Sequence, residues 1–335
     1  MCIRDRLLRD LRPRAVLLAN LFRDQLDRYG ELDSIADRWA AVAAGTSAAL
    51  VLNADDPTVA DLGRSRGGDA PDRSVSFFGV EDDAIALSEM QHAADAKHCR
   101  RCGAPYRYDA IYLGHLGRYH CDNCGARRPD PQVAATDVVM RLPDGERIEL
   151  SFPLPGLYNV YNALGAAALC RALDVPLADV AAGLAAVAPA FGRAETIQLG
   201  GRPTSILLVK NPAGANEVLR TLALEPGEHD LLAILNDHIA DGRDVSWVWD
   251  ADFEVLAGRV RRVTCSGTRA AEMALRLKYA GVQPGRIAVE PELDAGLDRA
   301  LGDGDGQLFA LPTYTAMLGL RDVLVARGAA GSSFA

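Results

Sequence analysis

Ala48-Ala49-Leu50-Val51-Leu52 runs directly into Asn53-Ala54-Asp55-Asp56-Pro57. Five consecutive apolar residues read as a strand covered on both faces, the kind that builds parallel sheets. The polar run that ends it puts carboxylates at the carboxyl edge of the strand, where open α/β sheets bind ligands. Upstream, Ala15 to Asn20 reads as a short strand. Behind Ser34, a suitable N-cap, Ile35, Trp39, Val42 and Ala43 recur at helical spacing. Strand, helix and strand in this order predict a parallel α/β sheet, extended by a short strand at Ser74 to Phe78.

Working outward, a hairpin is expected from Asp137 to Leu142 and Arg147 to Phe152, closed by Pro143-Asp144-Gly145-Glu146. Helices follow at Asn159 to Leu173 and Pro176 to Val187. Composition shifts around Pro189-Ala190-Phe191-Gly192, which sets the expected domains at 1–190 and 191–335. Beyond it, five strands (Ser205–Val209, Asp230–Leu235, Arg259–Cys265, Arg286–Val289, Gln307–Leu311) alternate with helices at Ala213–Leu224, Arg269–Ala280, Glu292–Leu301 and Thr313–Arg327. That alternation predicts a Rossmann-like open sheet. Trp247 and Trp249 alternate with Ser246 and Val248 as on one strand face, packed in the core or offered to a partner.

The 335 residues are 49% apolar and 24% charged, which excludes disordered, collagenous and coiled-coil chains. A net charge of −9 argues against nucleic acid as the main partner. No run approaches the ~20 apolar residues of a membrane span, so no transmembrane segment is expected, and the protein reads as cytoplasmic. Of 36 basic side chains only three are lysines (Lys97, Lys210 and Lys278), and none precedes Ser or Thr. A phosphate-cradling Gly-Lys-Ser/Thr loop is therefore missing from these residues.

Cys99-x-x-Cys102 and Cys121-x-x-Cys124 are separated by 18 residues and each pair is followed by glycine, Gly103 or Gly125. This spacing fits a four-cysteine zinc site within an insert at 97–130. Four thiolates saturate a tetrahedral ion, so the reading is structural Zn²⁺ rather than a redox dithiol or a catalytic metal. Tyr106, Tyr108, Tyr112 and Tyr119 are expected on the ribbon's strands. Cys170 and Cys265, among apolar neighbours, read as buried hydrophobes and not as nucleophiles.

Several segments together resemble one family. Asn20-Leu21-Phe22-Arg23-Asp24-Gln25-Leu26-Asp27 is similar to the Asn-x-x-x-Asp-His-Leu-Asp segment of the Mur ligases. Asn53 to Pro57, Gly156 to Ala167 and Gly192-Arg193-Ala194-Glu195 resemble further segments of that family. The cysteine insert, Lys210 to Glu217, Ala240 to Asp250 and Pro312 to Met317 narrow the likeness to the MurT-type subunits of lipid II isoglutaminyl synthase. The resemblance implies a fold: an α/β Mur-ligase-like central domain, incomplete here, with an inserted zinc ribbon, and a Rossmann-like C-terminal domain. It also implies a reaction, the ATP-dependent amidation of D-glutamate in lipid II at the inner face of the cytoplasmic membrane, with ammonia from a GatD-type glutaminase partner. The alternatives are another Mur-type ligase that adds an amino acid, or a non-catalytic zinc-ribbon scaffold.

Site residues follow from the same resemblance. Asn159 and Asn162 are expected at adenine, with helix capping and solvent exposure as the bland alternatives. Arg193 is expected at phosphate. Asn211 is expected at a ligand, or only at the start of a helix. Asp244, with Asp241 as the alternative, is expected to complete the partner's Cys-His pair. Gln25 stands where ordinary Mur ligases have histidine near Mg²⁺, and a glutamine carbonyl is still a suitable hard ligand. The family's Gly-Lys-Thr/Ser loop precedes the Asn20 segment, so the resemblance implies a longer gene product that supplies it.

Overall fold

A computed structural model describes residues 11–24, 30–64, 74–92, 94–136, 139–141, 147–149, 156–187, 193–302 and 306–329, together with Gly145, Leu154 and Gly304. The expected junction, Pro189 to Gly192, and Gln25 lie outside them. The chain forms two compact units: Met1–Phe22 with Gly30–Ala188, and Arg23–Tyr29 with Pro189–Ala335.

The first unit runs β1 (Ala15–Leu18), α1 (Leu32–Ala44), β2 (Ala49–Asn53), α2 (Pro57–Asp61), β3 (Val75–Val80), β4 (Arg107–Leu113), β5 (Leu116–His120), β6 (Val133–Thr136), β7 (Val139–Arg141), β8 (Arg147–Glu149), α3 (Leu157–Ala172) and α4 (Leu177–Ala185). β1, β2, β3 and β6 are parallel neighbours in that order, and β7 and β8 fold back antiparallel at one edge. The parallel core expected from Leu50-Val51-Leu52 is present, with all three residues essentially fully buried. α3 lies across all four parallel strands, and its small residues permit the approach: Gly165 sits against Phe78 and Leu17. α1 begins at Leu32 and not behind Ser34, because Glu31 stands at the cap position and its carbonyl already accepts from the Ser34 amide at 3.0 Å.

β2 ends on a buried polar knot. Asp55, wholly excluded from solvent, accepts from Arg128 Nε at 2.6 Å, from the Tyr161 hydroxyl at 2.7 Å and from the Val80 amide at 2.8 Å. Arg128 also donates to the Val80 carbonyl at 2.9 Å. Burial pushes the Asp55 carboxyl up, against Arg128, Tyr161 and the Val80 amide, which pull it down. Asp56, equally buried, caps α2 through the amides of Thr58 and Val59 and accepts from the Leu21 amide at 2.8 Å. Two adjacent carboxylates thus join β1's exit, β2, β3, α3 and the chain leaving the cysteine insert. Gly79 is required at this point, since a Cβ there would lie 2.6 Å from Asp55 Oδ1 and 2.8 Å from Arg128 Nη2.

The second unit contains β9 (Arg193–Leu199), β10 (Arg202–Leu207), α5 (Pro212–Leu224), β11 (His229–Ile234), β12 (Val260–Ser266), α6 (Ala270–Tyr279), β13 (Ile287–Val289), α7 (Leu293–Gly302), β14 (Leu308–Pro312) and α8 (Tyr314–Ala326). The strand order is β13-β12-β11-β14-β10-β9, parallel except for β9. The five expected strands are all present. β9 is a sixth, an antiparallel edge strand whose alternation of polar and apolar residues carries no continuous buried run.

The expected strand around Trp247 and Trp249 is corrected. Ser246–Trp249 is a 3₁₀ turn, in which Val245 and Val248, three apart, are the buried residues. Trp247 packs against the core, whereas Trp249 is 49% exposed beside Tyr279.

Two outcomes follow from this packing. Asp55→Ala leaves Arg128 and Tyr161 buried without their acceptor and should cost about 3–5 kcal/mol in denaturant unfolding. Gly79→Ala should be strongly destabilising by itself and cost much less in the Asp55→Ala background, where the flexible end of Arg128 remains as the close neighbour. In the second unit, Glu217 is 5% exposed, its Oε1 accepts no hydrogen bond, and burial raises its pKa to about 7, with Arg220 opposing. An acid whose folded pKa is raised adds to stability below its unfolded pKa of ~4.5, and that contribution is lost as pH rises through ~7. Glu217→Gln should therefore flatten the fall in thermal stability between pH 5 and 8, worth on the order of 3 kcal/mol.

Candidate functional site: a cysteine cluster and the carboxyl edge of the second sheet

The four cysteines of the insert converge within the first unit. Their sulfurs all lie within 4.8 Å of one another, with Cys99–Cys124 at 3.6 Å and Cys102–Cys121 at 3.5 Å. Four sulfurs bound to one ion at about 2.3 Å would stand about 3.8 Å apart, so the cluster has the size of a tetrahedral metal site. Each half is the same turn. Gly103 N donates to Cys99 O at 2.8 Å and Gly125 N donates to Cys121 O at 2.9 Å, with φ of +75° and +70° at the two glycines.

These turns aim backbone amides at sulfur. Asn123 and the Ala104 amide hold the Cys102 thiol down to about 6. Arg100 reaches Asp33 and Asp37 on α1, and Arg101 reaches Asp61 on α2, so the cluster is docked through the two residues between its first pair of cysteines. Tyr108 and Tyr112 lie on β4 and Tyr119 on β5 as expected, while Tyr106 precedes β4 and meets Tyr119 edge to face at 5.1 Å.

In the second unit the strand order reverses between β11 and β14, the point at which an open sheet parts to leave a crevice. A cavity of about 50 Å³ at this edge brings together Asn211, Asp241 and Asp244, and adds Arg23, Asp24 and Lys210. Lys210 Nζ pairs with Asp24 at 2.7 Å, and Arg23 pairs with Asp250 at 3.1 Å. These charged partners were not singled out from the sequence, although Lys210, one of only three lysines, marked the place.

The two aspartates differ. Asp241 is 5% exposed, and its two oxygens accept from the Thr315 amide at 2.7 Å and the Thr315 hydroxyl at 2.5 Å. Asp244 is exposed and accepts from the Ser246 amide at 2.8 Å; Ser246 holds its carboxyl below the usual range, so it is ionised at neutral pH.

Asn211 caps α5, accepting from the Gly214 amide at 2.8 Å. Asn159, the third residue of α3, is buried, whereas Asn162 one turn on is exposed, so the two amides do not share an environment. Arg193 opens β9, and its side chain lies outside the described residues. Cys265 is fully buried and burial pushes its thiol up to about 12; Cys170 is half-buried on α3. Neither has the surroundings of a nucleophile.

A family model described as Mur ligase middle domain matches residues 2–170, and one described as MurT ligase C-terminal matches residues 208–317. The MurT subunit of lipid II isoglutaminyl synthase (glutamine-hydrolyzing) from Streptococcus pneumoniae is 30% identical over 95% of this chain and 71% of that protein. Its Staphylococcus aureus counterpart is 32% identical over 93% and 70%. Among solved structures, a pseudomurein peptide ligase type C from Methanothermus fervidus superposes with a TM-score of 0.72 at 22% identity, covering 96% of this chain and 65% of that one. MurF from Acinetobacter baumannii superposes at 0.62 and 16% identity, covering 96% and 61%. The chain therefore spans less than two thirds of these two solved structures, which share its fold. By sequence, fold and the order of its motifs, the chain belongs to the MurT family of Mur ligases.

Proposed function

We propose that the chain is the ligase subunit of a lipid II isoglutaminyl synthase, amidating the α-carboxylate of D-glutamate in the stem peptide. The observation that carries this reading is the 30% identity to a MurT subunit across 95% of the chain. In the reaction the γ-phosphoryl group of ATP moves to a carboxylate oxygen and ADP leaves. Ammonia then attacks the acyl carbon, phosphate departs and the nitrogen loses a proton. Ammonia comes from a GatD-type glutaminase subunit, in keeping with relatives named as glutamine-hydrolyzing and with the inert surroundings of Cys170 and Cys265. A lipid-anchored substrate and cytosolic ATP set the work at the inner face of the cytoplasmic membrane. No described helix is long and apolar enough to cross that membrane.

In this reading Asn162 presents its exposed amide to adenine, with Asn159 fixing the start of α3 behind it. Arg193 and Asn211 serve the phosphates. Mg²⁺ would find a hard oxygen ligand in Asp24, whose Oδ1 accepts no hydrogen bond. Asp244, ionised and exposed, orients the imidazole of the partner's Cys-His pair, as the acid of a triad does. The ion of the cysteine cluster is Zn²⁺. With all four positions taken by thiolate it is structural, standing in for the core that so short an insert cannot build.

Two measurements test the reading. In the full-length subunit assembled with its glutaminase, Asp244→Asn should lower glutamine-dependent amidation by about 10²–10⁴-fold and ammonium-dependent amidation far less. Equal rates with both nitrogen sources would remove Asp244 from the triad. Metal analysis should return one zinc per chain. Cys102→Ser, or a strong chelator, should release it and lower the melting temperature, while an unchanged melting curve after zinc loss would refute the structural role.

A further inference from the structure

The loop that carries Asp244 is held at two points only four residues apart in sequence. At its far end Val245 is buried in the core of the second unit. At its near end Asp241 is buried and spends both carboxylate oxygens on Thr315, 74 residues away. Thr315 is the second residue of α8, the position whose amide normally bonds the side chain of the helix's own N-cap. That cap is Thr313, and its hydroxyl is already taken, accepting from the Asn236 amide at 3.0 Å. The Asn236 side chain in turn donates to Thr315 Oγ1 at 3.0 Å and accepts from the Thr268 amide at 3.0 Å. One hydrogen-bonded chain therefore ties together the segments leaving β11, β12 and β14. Asp241 is its link to the loop and also places a carboxylate at the positive end of α8.

We infer that Asp241 is a positioning residue: by capping α8 from outside the helix it fixes Asp244 where a partner's imidazole can meet it. The inference rests on the reading of Asp244 given above. Asp241 cannot fill that role itself, because it is buried and both of its oxygens are engaged. Between Asp241 and Val245 stand only Gly242, Arg243 and Asp244, so releasing Asp241 removes one of the two anchors that flank the carboxylate the partner needs. The catalytic complement stays whole, and only the geometry is lost.

The test uses the full-length subunit in complex with its glutaminase, with glutamine or an ammonium salt as nitrogen source. Asp241→Asn leaves the Thr315 hydroxyl without its acceptor. Thr315→Val removes the same bond from the other side and leaves the loop's own residues untouched. Both should lower kcat with glutamine at least ten-fold more than kcat with ammonium, with KM for glutamine changed less than three-fold. Thr315→Ser, which keeps the hydroxyl, should restore the wild-type ratio. Parallel losses with both nitrogen sources, the mark of a purely structural residue, would overturn the inference, as would normal glutamine-dependent rates in both variants. Asp244→Asn separates the two levels. If it is inactive with glutamine while Asp241→Asn is normal, only the positioning role falls; if it is itself normal, both fall.

Discussion

The first unit depends on one buried carboxylate. Asp55 stands just past the end of β2 with no access to water, and it is tolerable there only because Arg128, Tyr161 and the Val80 amide meet it. Each partner comes from a different part of the chain: the exit of the cysteine insert, the long helix across the sheet, and the neighbouring strand. A charge that must be matched inside protein leaves few alternative arrangements. The knot therefore specifies where the insert returns to the sheet as well as holding it there.

The insert solves a different problem with a different interaction. Its β4–β5 hairpin lends Ala110, Tyr112, Leu113 and Leu116 to the core of the first unit, whereas its cysteine end has a small cluster of its own, with Cys99, Cys121 and Ala126 as buried members. Four sulfurs stand at the spacing of a tetrahedral metal site, while Arg100 and Arg101 fasten the turn to α1 and α2. The second unit has a buried carboxylate of its own: Asp230, near the start of β11, is met by Arg202 at 2.7 Å and by Arg261 at 2.6 Å. Its sheet is packed on both faces by apolar side chains, and at the carboxyl edge Asn236, Asp241, Thr313 and Thr315 satisfy one another. That division follows from parallel sheets in general: their faces must be dry, so polar groups collect at the strand ends.

Much of this was legible in the residues. Continuous apolar runs marked the parallel strands because burial on both faces leaves no room for alternation. The cysteine pairs marked the four-sulfur cluster because cysteine spacing and the following glycine are local properties. Other features were not legible for equally physical reasons. β9 alternates as an edge strand does, and the tryptophan segment alternates by coincidence, its true period being the three of a 3₁₀ turn. Asp241 and Asp244 are indistinguishable on paper, both lying in one acidic run after a strand. Only the presence of Thr315, 74 residues later, makes one a structural cap and leaves the other exposed.

The sequence by itself determined the fold class, the four-cysteine cluster and the family, and it supplied a short list of candidate polar residues, because periodicity, spacing and motif order are carried along the chain. The tertiary structure alone decided which of those residues are spent on holding the molecule together. Asp55, Asp56 and Asp241 are committed to distant amides, hydroxyls and a guanidinium, Asn211 to the start of its own helix, and Asp244 remains open to solvent. A side chain's partners are set by what folding brings within about 3 Å of it, and for buried carboxylates that distance is bridged from dozens of residues away.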